Sequence, residues 1–372
     1  MPLFLWITLI LTLIVASLAV LGIVLTRHPV FGSKPSTQKR LTFTRSKQYN
    51  NEKFQYPIPT DMRTDFRTGL SILRDFTKKN PHRQPGYPIP MTSVDPDSLK
   101  HPVADRWIWF GHSALLLQIN GKSLLLDPMF GDRPSPVPFF GLKRFSEKLP
   151  VEIEQLPEID AVLFSHDHYD HLDYGTIKRI RHKVKQFIVP LGLGSHLERW
   201  GVLPEQISEM DWWEETELDG LKLACTPARH YSGRGLSGRD ASLWCSWVIQ
   251  GDQHKVYFSG DSGYGPHFKE IGAAYGPFDA TFMECGQYDE RWSAIHMMPE
   301  ETVQAHLDVK GKLLFPIHWS AFTLAFHSWT DPVERAKKAA EQHDLPIATP
   351  RIGEPVTLGA EQYPATAWWT SS

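Results

Sequence analysis

IDAVLFSHDHYDHLD, residues Ile159 to Asp173, joins a short apolar run to a dense set of metal-ligand side chains. Ala161 to Phe164 reads as a buried strand. His166, His168, Asp170 and His171 follow it within six residues. In extended chain, residues i and i+2 point the same way, so His166 and His168 can face one ion together. Asp170 and His171 fall where the chain turns toward a helix predicted over Tyr174 to Lys185, beside the first pair, where they can face a second ion. Imidazole and carboxylate without thiolate suit Zn, Fe or Mn. The bland alternative is a polar loop that happens to be rich in histidine. Four such ligands at one strand end weigh against it, because His/Asp clusters of this kind mark metal sites.

The pattern His-x-His-x-Asp-His after an apolar strand resembles the signature of the metallo-β-lactamase superfamily. That resemblance implies an α/β αββα four-layer sandwich and three later single ligands, each at the end of a strand-like run. His230 stands in Thr226-Pro227-Ala228-Arg229-His230, Asp261 in Phe258-Ser259-Gly260-Asp261-Ser262-Gly263, and His318 in Phe315-Pro316-Ile317-His318-Trp319. Taken alone, His230 or His318 would more often be a surface or satisfied core histidine. The cluster changes that balance.

Working outward, the 372 residues suffice for one large domain with an appendage. A hydrophobic share of 41% and a charged share of 22% are ordinary for a globular protein, and a net charge of -3 gives no reason to expect nucleic acid. Cys225, Cys245 and Cys285 form an odd, sparse set that is no disulfide framework, and each reads as a buried thiol. Pro2 to Thr26 holds no charged residue, and about 20 such residues can cross a bilayer. With nothing basic ahead of Arg27, an uncleaved anchor is expected rather than a signal peptide. Arg27, Lys34, Lys39, Arg40, Arg45 and Lys47 all precede the first acid, Glu52, so the positive-inside rule places the body on the cytoplasmic side. The division expected is 1–26 transmembrane anchor, 27–104 tether and amphipathic segment, and 105–372 hydrolase domain.

Thr60 to Lys78 shows Met62, Phe66, Leu70, Leu73 and Phe76 at helical spacing and predicts a helix ended by Asn80-Pro81. Its stripe is expected to pack on the body, with a lipid-facing role the alternative. Trp107 to Ile119, Asn120-Gly121 and Lys122 to Leu126 predict a β-hairpin, with His112 structural at its start. Phe130 to Phe145 reads as an irregular loop that either shapes an entrance or packs as a structural loop. Phe139 and Phe140 give it apolar surface, and Arg133, Lys143 and Arg144 positive charge. Pro299 opens a helix with Glu300 and Glu301 in its first turn. His182, His254, His267 and His343 read as surface residues.

Further stretches resemble the N-acylphosphatidylethanolamine-hydrolysing phospholipase D group of the superfamily. They include Asp127-Pro128-Met129-Phe130, Gly141-Leu142-Lys143-Arg144-Phe145, Val189-Pro190-Leu191-Gly192-Leu193, Asp211-Trp212-Trp213-Glu214-Glu215 and Ile317-His318-Trp319. The likeness spans about residues 105 to 330. True β-lactamases of this fold commonly carry cysteine where this chain has Asp261. Pro138-Phe139-Phe140 departs from the animal enzymes, as does the amino-terminal segment, so the preferred lipid is open.

The resemblance assigns His166, His168 and His230 to one zinc ion, and Asp170, His171 and His318 to the other. Asp261 bridges both, and Asp127 stands near the metals as a supporting group. It implies phospholipase D-type hydrolysis of a membrane phospholipid at a bilayer, with a hydroxide shared by the ions attacking phosphorus. N-acylethanolamine and phosphatidic acid would be released. It also implies a homodimer. His296, just before a helix start, could bind phosphate or protonate the leaving oxygen, or serve only as a helix-entry residue. Phe139, Phe140, Lys143 and Arg144 are the candidate substrate contacts. Two rivals stay open: a lactonase or phosphodiesterase acting on a soluble substrate, and a non-catalytic metal-binding membrane protein.

Overall fold

The computed structural model describes residues 2–60, 65–78, 80–136, 141–235 and 238–370. Its body is built on two mixed sheets. One has seven strands in the order Pro355–Thr357, Arg106–Trp109, Leu115–Ile119, Lys122–Leu126, Ile159–Leu163, Val184–Pro190 and Ile207–Met210. The other has six, in the order Leu314–Ile317, Ala280–Glu284, Lys255–Phe258, Ser246–Gln250, Leu221–Thr226 and Glu215–Leu218.

Near-continuous apolar runs such as Ala161 to Phe164 arise because both faces of each sheet are covered. Leu115, Leu117, Leu124, Leu126, Ala161 and Leu163 point into a core shared with Leu223, Trp247, Phe282 and Phe315 of the opposite sheet. The alternate residues Leu116, Leu125 and Val162 pack outward with Ile177, Ile180 and Leu197, on the helices Tyr174–Ile180 and Gly194–Arg199. On the far side, Tyr257 and Met283 meet Phe268, Val303 and Ala340 from the helices His267–Ala274, Pro299–Asp308 and Asp331–Gln342. Helix, sheet, sheet, helix is the expected four-layer arrangement.

Strand direction gathers the chemistry at one end. Lys122–Leu126 and Ile159–Leu163 run parallel, so Asp127 and the His166–His171 cluster leave the same edge. Lys255–Phe258, Ala280–Glu284 and Leu314–Ile317 also run parallel, which brings out Asp261, Glu284 and His318 together. Leu221–Thr226 is antiparallel to Ser246–Gln250, itself antiparallel to Lys255–Phe258, so His230 emerges at that end too. The predicted run Trp107 to Ile119 divides at Gly111-His112, where φ of +86° and +56° turns the chain.

Arg27 to Pro59 reads as a tether by composition, yet it is packed against the body. Phe43 and Phe54 lie in the shared core. Arg199 donates to Gly32 O at 2.7 Å and Trp200 Nε1 to Pro29 O at 2.6 Å. Arg234 Nη2 donates to Val30 O at 3.0 Å, and Ser33 N–H donates to His196 Nδ1 at 3.0 Å. Gly32 takes φ +68°, and a Cβ there would sit 1.9 Å from His196 Nδ1. Gly32→Ala should therefore cost about 1–3 kcal/mol through left-handed backbone and a forced side-chain shift. A calorimetric melt reads this directly, and an unchanged melting temperature would mean that the segment does not dock as described.

The helix expected from Thr60 runs Phe66–Thr77; Met62 lies outside the described residues. Its stripe is not buried on the body: Phe66, Leu70, Leu73 and Phe76 are 57–82% exposed, although Phe76 touches the Phe326 ring edge-on at 5.0 Å between centroids. The opposite, polar face docks instead, through Arg291 to Ser71 Oγ at 3.0 Å and Asp75 Oδ2 at 2.9 Å.

The membrane reading is corrected. Residues Leu3–Thr26 form a helix, but among the described residues no helix is long and apolar enough to cross a membrane. The single-pass anchor over 1–26, and the cytoplasmic orientation built on it, are therefore withdrawn.

Candidate metal centre

Strand Ile159–Leu163 delivers Ser165, His166 and His168 onto the rim, and a turn closed by Leu172 N–H donating to His168 O at 2.8 Å swings Asp170 and His171 inward. His166 Nε2 lies 2.9 Å from His168 Nδ1, which lies 3.2 Å from His230 Nε2. These three nitrogens form one cluster. In the second, Asp170 Oδ2 lies 3.5 Å from His171 Nε2 and 3.2 Å from His318 Nε2. Asp261 Oδ2 stands between them, 3.1 Å from His171 and His318 Nε2, 3.8 Å from His166 Nε2 and 3.9 Å from His230 Nε2. All seven residues named from the sequence are thus brought to one point.

The nitrogens turned away from the cluster are held in place. His171 Nδ1 donates to Asp127 Oδ2 at 2.7 Å, His230 Nδ1 to Ile295 O at 3.0 Å and His318 Nδ1 to Glu284 Oε1 at 3.3 Å. Ser165 Oγ donates to Asp127 Oδ2 at 2.5 Å, so it accepts from His166 Nδ1 at 2.9 Å. Such far-side bonds fix the tautomer and aim the other nitrogen, the usual support for a metal-binding imidazole. His318 keeps φ +69°, and a Cβ on Gly286 would lie 1.8 Å from its carbonyl oxygen. Only glycine fits behind this ligand.

The electrostatics divide the cluster. Burial, with neighbouring imidazoles, pushes His166 and His230 well below the ordinary histidine range, leaving neutral rings with free lone pairs. Burial also opposes charge on His171 and His318, but the surrounding carboxylates outweigh it, holding His171 well above its usual value and His318 at about 10. Asp261 and Asp170 stay ionised despite burial because of the imidazoles around them. Asp127, Asp170, Asp261 and Glu284 thus concentrate carboxylates that call for positive charge. Asp261 Oδ1 is buried and has no hydrogen-bond partner among the described residues, a costly state for an acceptor. Nitrogen and oxygen donors, an unmatched buried carboxylate oxygen and anchored imidazoles together fit a pair of divalent ions.

Above the cluster lies a cavity of about 420 Å³ lined by Tyr231, Gln287, Trp292, His296 and Leu324. His296 stacks on His318 at 5.2 Å between centroids and donates Nδ1–H to Glu284 Oε1 at 3.1 Å, so its Nε2 is the nitrogen left for the cavity. Glu284, fully buried, therefore supports both rings and also accepts from Met297 N–H at 2.9 Å. Sequence reading passes over Glu284; its signal was an acid ending the apolar strand Ala280–Glu284.

The expected entrance residues divide. Phe139 and Phe140 lie outside the described residues, and Lys143 is exposed. Arg144 is buried, donating to Phe110 O at 3.2 Å and to Met129 O, with its guanidinium 4.7 Å from the Phe322 ring. It ties the loop down instead of presenting charge to a ligand. His267, expected at the surface, is 2% exposed and bonds Tyr56 Oη at 2.9 Å and Ser262 Oγ at 3.1 Å.

Residues 122–319 match the beta-lactamase superfamily domain. An uncharacterized protein of Mycobacterium tuberculosis is 42% identical over 325 residues, 85% of this chain and 86% of its own. The N-acyl-phosphatidylethanolamine-hydrolyzing phospholipase D 1 of Caenorhabditis elegans is 33% identical over 284 residues, 72% of this chain and 79% of its own. Among solved structures, a metallo hydrolase from Ignicoccus hospitalis shares the fold, with a TM-score of 0.51 at 22% identity over 68% of this chain and 98% of that one.

Proposed function

This chain belongs to the metallo-β-lactamase superfamily and is a metal-dependent hydrolase; on that premise we propose that it cleaves N-acylphosphatidylethanolamine as a phospholipase D. The fold implies a dinuclear divalent-metal centre. His166, His168 and His230 would hold one ion and Asp170, His171 and His318 the other, with Asp261 between them; zinc suits the donors, as do iron and manganese. When bound, such a pair supplies Lewis acidity and a water made acidic enough to react near neutral pH.

The chain's own residues then do the rest. Glu284 accepts from His296 Nδ1–H and so holds Nε2 toward the cavity; as the imidazolium, the ring can give its Nε2 proton to the departing ethanolamine oxygen or donate Nε2–H to a phosphoryl oxygen. Tyr231, Trp292 and Leu324 give the cavity apolar walls beside that polar floor. In the reaction the bond from phosphorus to the ethanolamine oxygen breaks and an oxygen from water joins phosphorus. The carrying observation is the convergence of two donor clusters on Asp261, where cysteine would suit a lactamase, in a chain 33% identical to a named lipid phosphodiesterase.

The test is a product analysis in 18O-labelled water, with zinc-loaded protein and N-acylphosphatidylethanolamine in mixed micelles. N-acylethanolamine and phosphatidic acid carrying one 18O on phosphorus are expected. Free fatty acid or diacylglycerol would refute the bond assignment. Opening of a lactone without turnover of any phosphodiester would replace the reading with a lactonase.

A further inference from the structure

One buried histidine beside the centre is not among the seven. His112 sits in the Gly111-His112-Ser113 turn between strands Arg106–Trp109 and Leu115–Ile119, fully buried, with φ +56°. A non-glycine residue in the left-handed region persists only where its surroundings hold it. Here the hold comes from both sheets. His112 N–H donates to Trp319 O at 2.9 Å, and His112 O accepts from His318 N–H at 3.0 Å and from Trp109 Nε1 at 2.8 Å. Phe322 presses edge-on against its ring at 5.3 Å.

Its side chain reaches the second cluster. Nε2 lies 2.9 Å from Asp170 Oδ2, and the donor atoms of His112, Asp170, His171 and His318 all lie within 4.8 Å of one another. Distance alone therefore admits His112 as a ligand. The far nitrogen decides otherwise. His166, His171, His230 and His318 each have an oxygen partner on Nδ1, whereas His112 Nδ1 is buried and has no hydrogen-bond partner among the described residues. Were Nε2 given to an ion, the ring's proton would sit on Nδ1 as a buried donor with no acceptor, which costs stability. With the proton on Nε2 the donor meets a carboxylate, and no buried N–H is orphaned.

We propose that His112 is a positioning residue: it donates Nε2–H to Asp170 Oδ2, fixes the orientation of that carboxylate toward the second ion, and is not itself a ligand. This rests on the donor set assigned above but not on the substrate, so it stands or falls separately from the lipid assignment. It also gives the strained turn a purpose. The turn carries a donor on the seven-stranded sheet to the cluster completed by His318 from the six-stranded sheet.

The test measures zinc stoichiometry and affinity by chelator competition, together with melting of the metal-free protein, for His112→Leu, His112→Gln, Asp170→Asn and the double variant His112→Leu/Asp170→Asn. His112→Leu should still bind two ions at saturation, with the weaker site loosened about 10- to 100-fold, the range for loss of a supporting hydrogen bond. Glutamine, whose amide N–H can reach toward the place of Nε2, should recover most of that loss. The double variant should bind no worse than Asp170→Asn alone, because the two residues act through one contact. A single ion at saturation in His112→Leu without rescue by glutamine would make His112 a ligand and overturn the proposal. So would additive losses in the double variant, or a lower metal-free melting temperature with unchanged zinc affinity, which would reduce His112 to packing.

Discussion

Asp261→Asn should reduce hydrolysis by on the order of 10²–10³-fold or more, the scale seen when one electrostatic element of an active site is removed, while leaving the fold intact. Asp261 Oδ2 faces imidazole nitrogens of both clusters at 3.1–3.9 Å, which places this carboxylate to serve two ions. Asparagine keeps the shape but removes the charge, and its amide would turn either a neutral oxygen or two N–H donors toward ions and imidazoles. The loss should show as depleted metal content by mass spectrometry, with an unchanged circular dichroism spectrum. Two tightly held ions together with wild-type turnover would remove Asp261 from its central place.

The parts of this site that sequence reveals are those where chemistry and periodicity coincide locally. His166, His168, Asp170 and His171 share one strand end, so their spacing alone suggests a shared ion. His230, Asp261 and His318 are each separated from that cluster by dozens of residues. They become candidates through the resemblance, and the parallel and antiparallel strand directions explain why they emerge at the same edge. Glu284 escapes notice, and His112 reads only as structural, for a physical reason. Their partners, His318 and Asp170, are neighbours only in space, and neither residue stands in a ligand-like spacing.

Composition misleads in two places. Residues 27–59 are polar enough to read as a tether, but their docking depends on backbone carbonyls accepting from Arg199, Trp200 and Arg234, and a carbonyl is the same in every residue. Arg144 reads as surface charge at an entrance, yet carbonyls of the loop that it would decorate, with Phe110 O, take up its guanidinium. The exposed stripe of Phe66–Thr77 shows the reverse. Its amphipathic spacing predicts the helix, but spacing cannot say which face docks, and here Arg291 captures the polar one.

Glu284→Gln is expected to have the next largest effect, because one carboxylate oxygen serves two rings. Oε1 accepts from His296 Nδ1 at 3.1 Å and from His318 Nδ1 at 3.3 Å, while Oε2 is taken by Met297 N–H. Glutamine nearly preserves the volume, so a cavity is not the issue. If its oxygen keeps both imidazole donors, its N–H₂ group confronts the Met297 N–H, donor against donor. If it flips, the N–H₂ group confronts the two imidazoles, and the rings must change tautomer or turn. Either way a buried donor is left unmatched, at about 1–3 kcal/mol, and supporting contacts of this kind are worth about 10–100-fold in metal affinity or activity. The two rings can be told apart. Failure of His318 should loosen one ion of the pair, seen by chelator competition, whereas failure of His296 should lower turnover at full metal occupancy and spare substrates with a good leaving group. A Glu284→Gln protein with both ions tightly bound and turnover intact on poor and good leaving groups alike would show that His296 and His318 need no common support, and would leave the acid role of His296 without a structural basis.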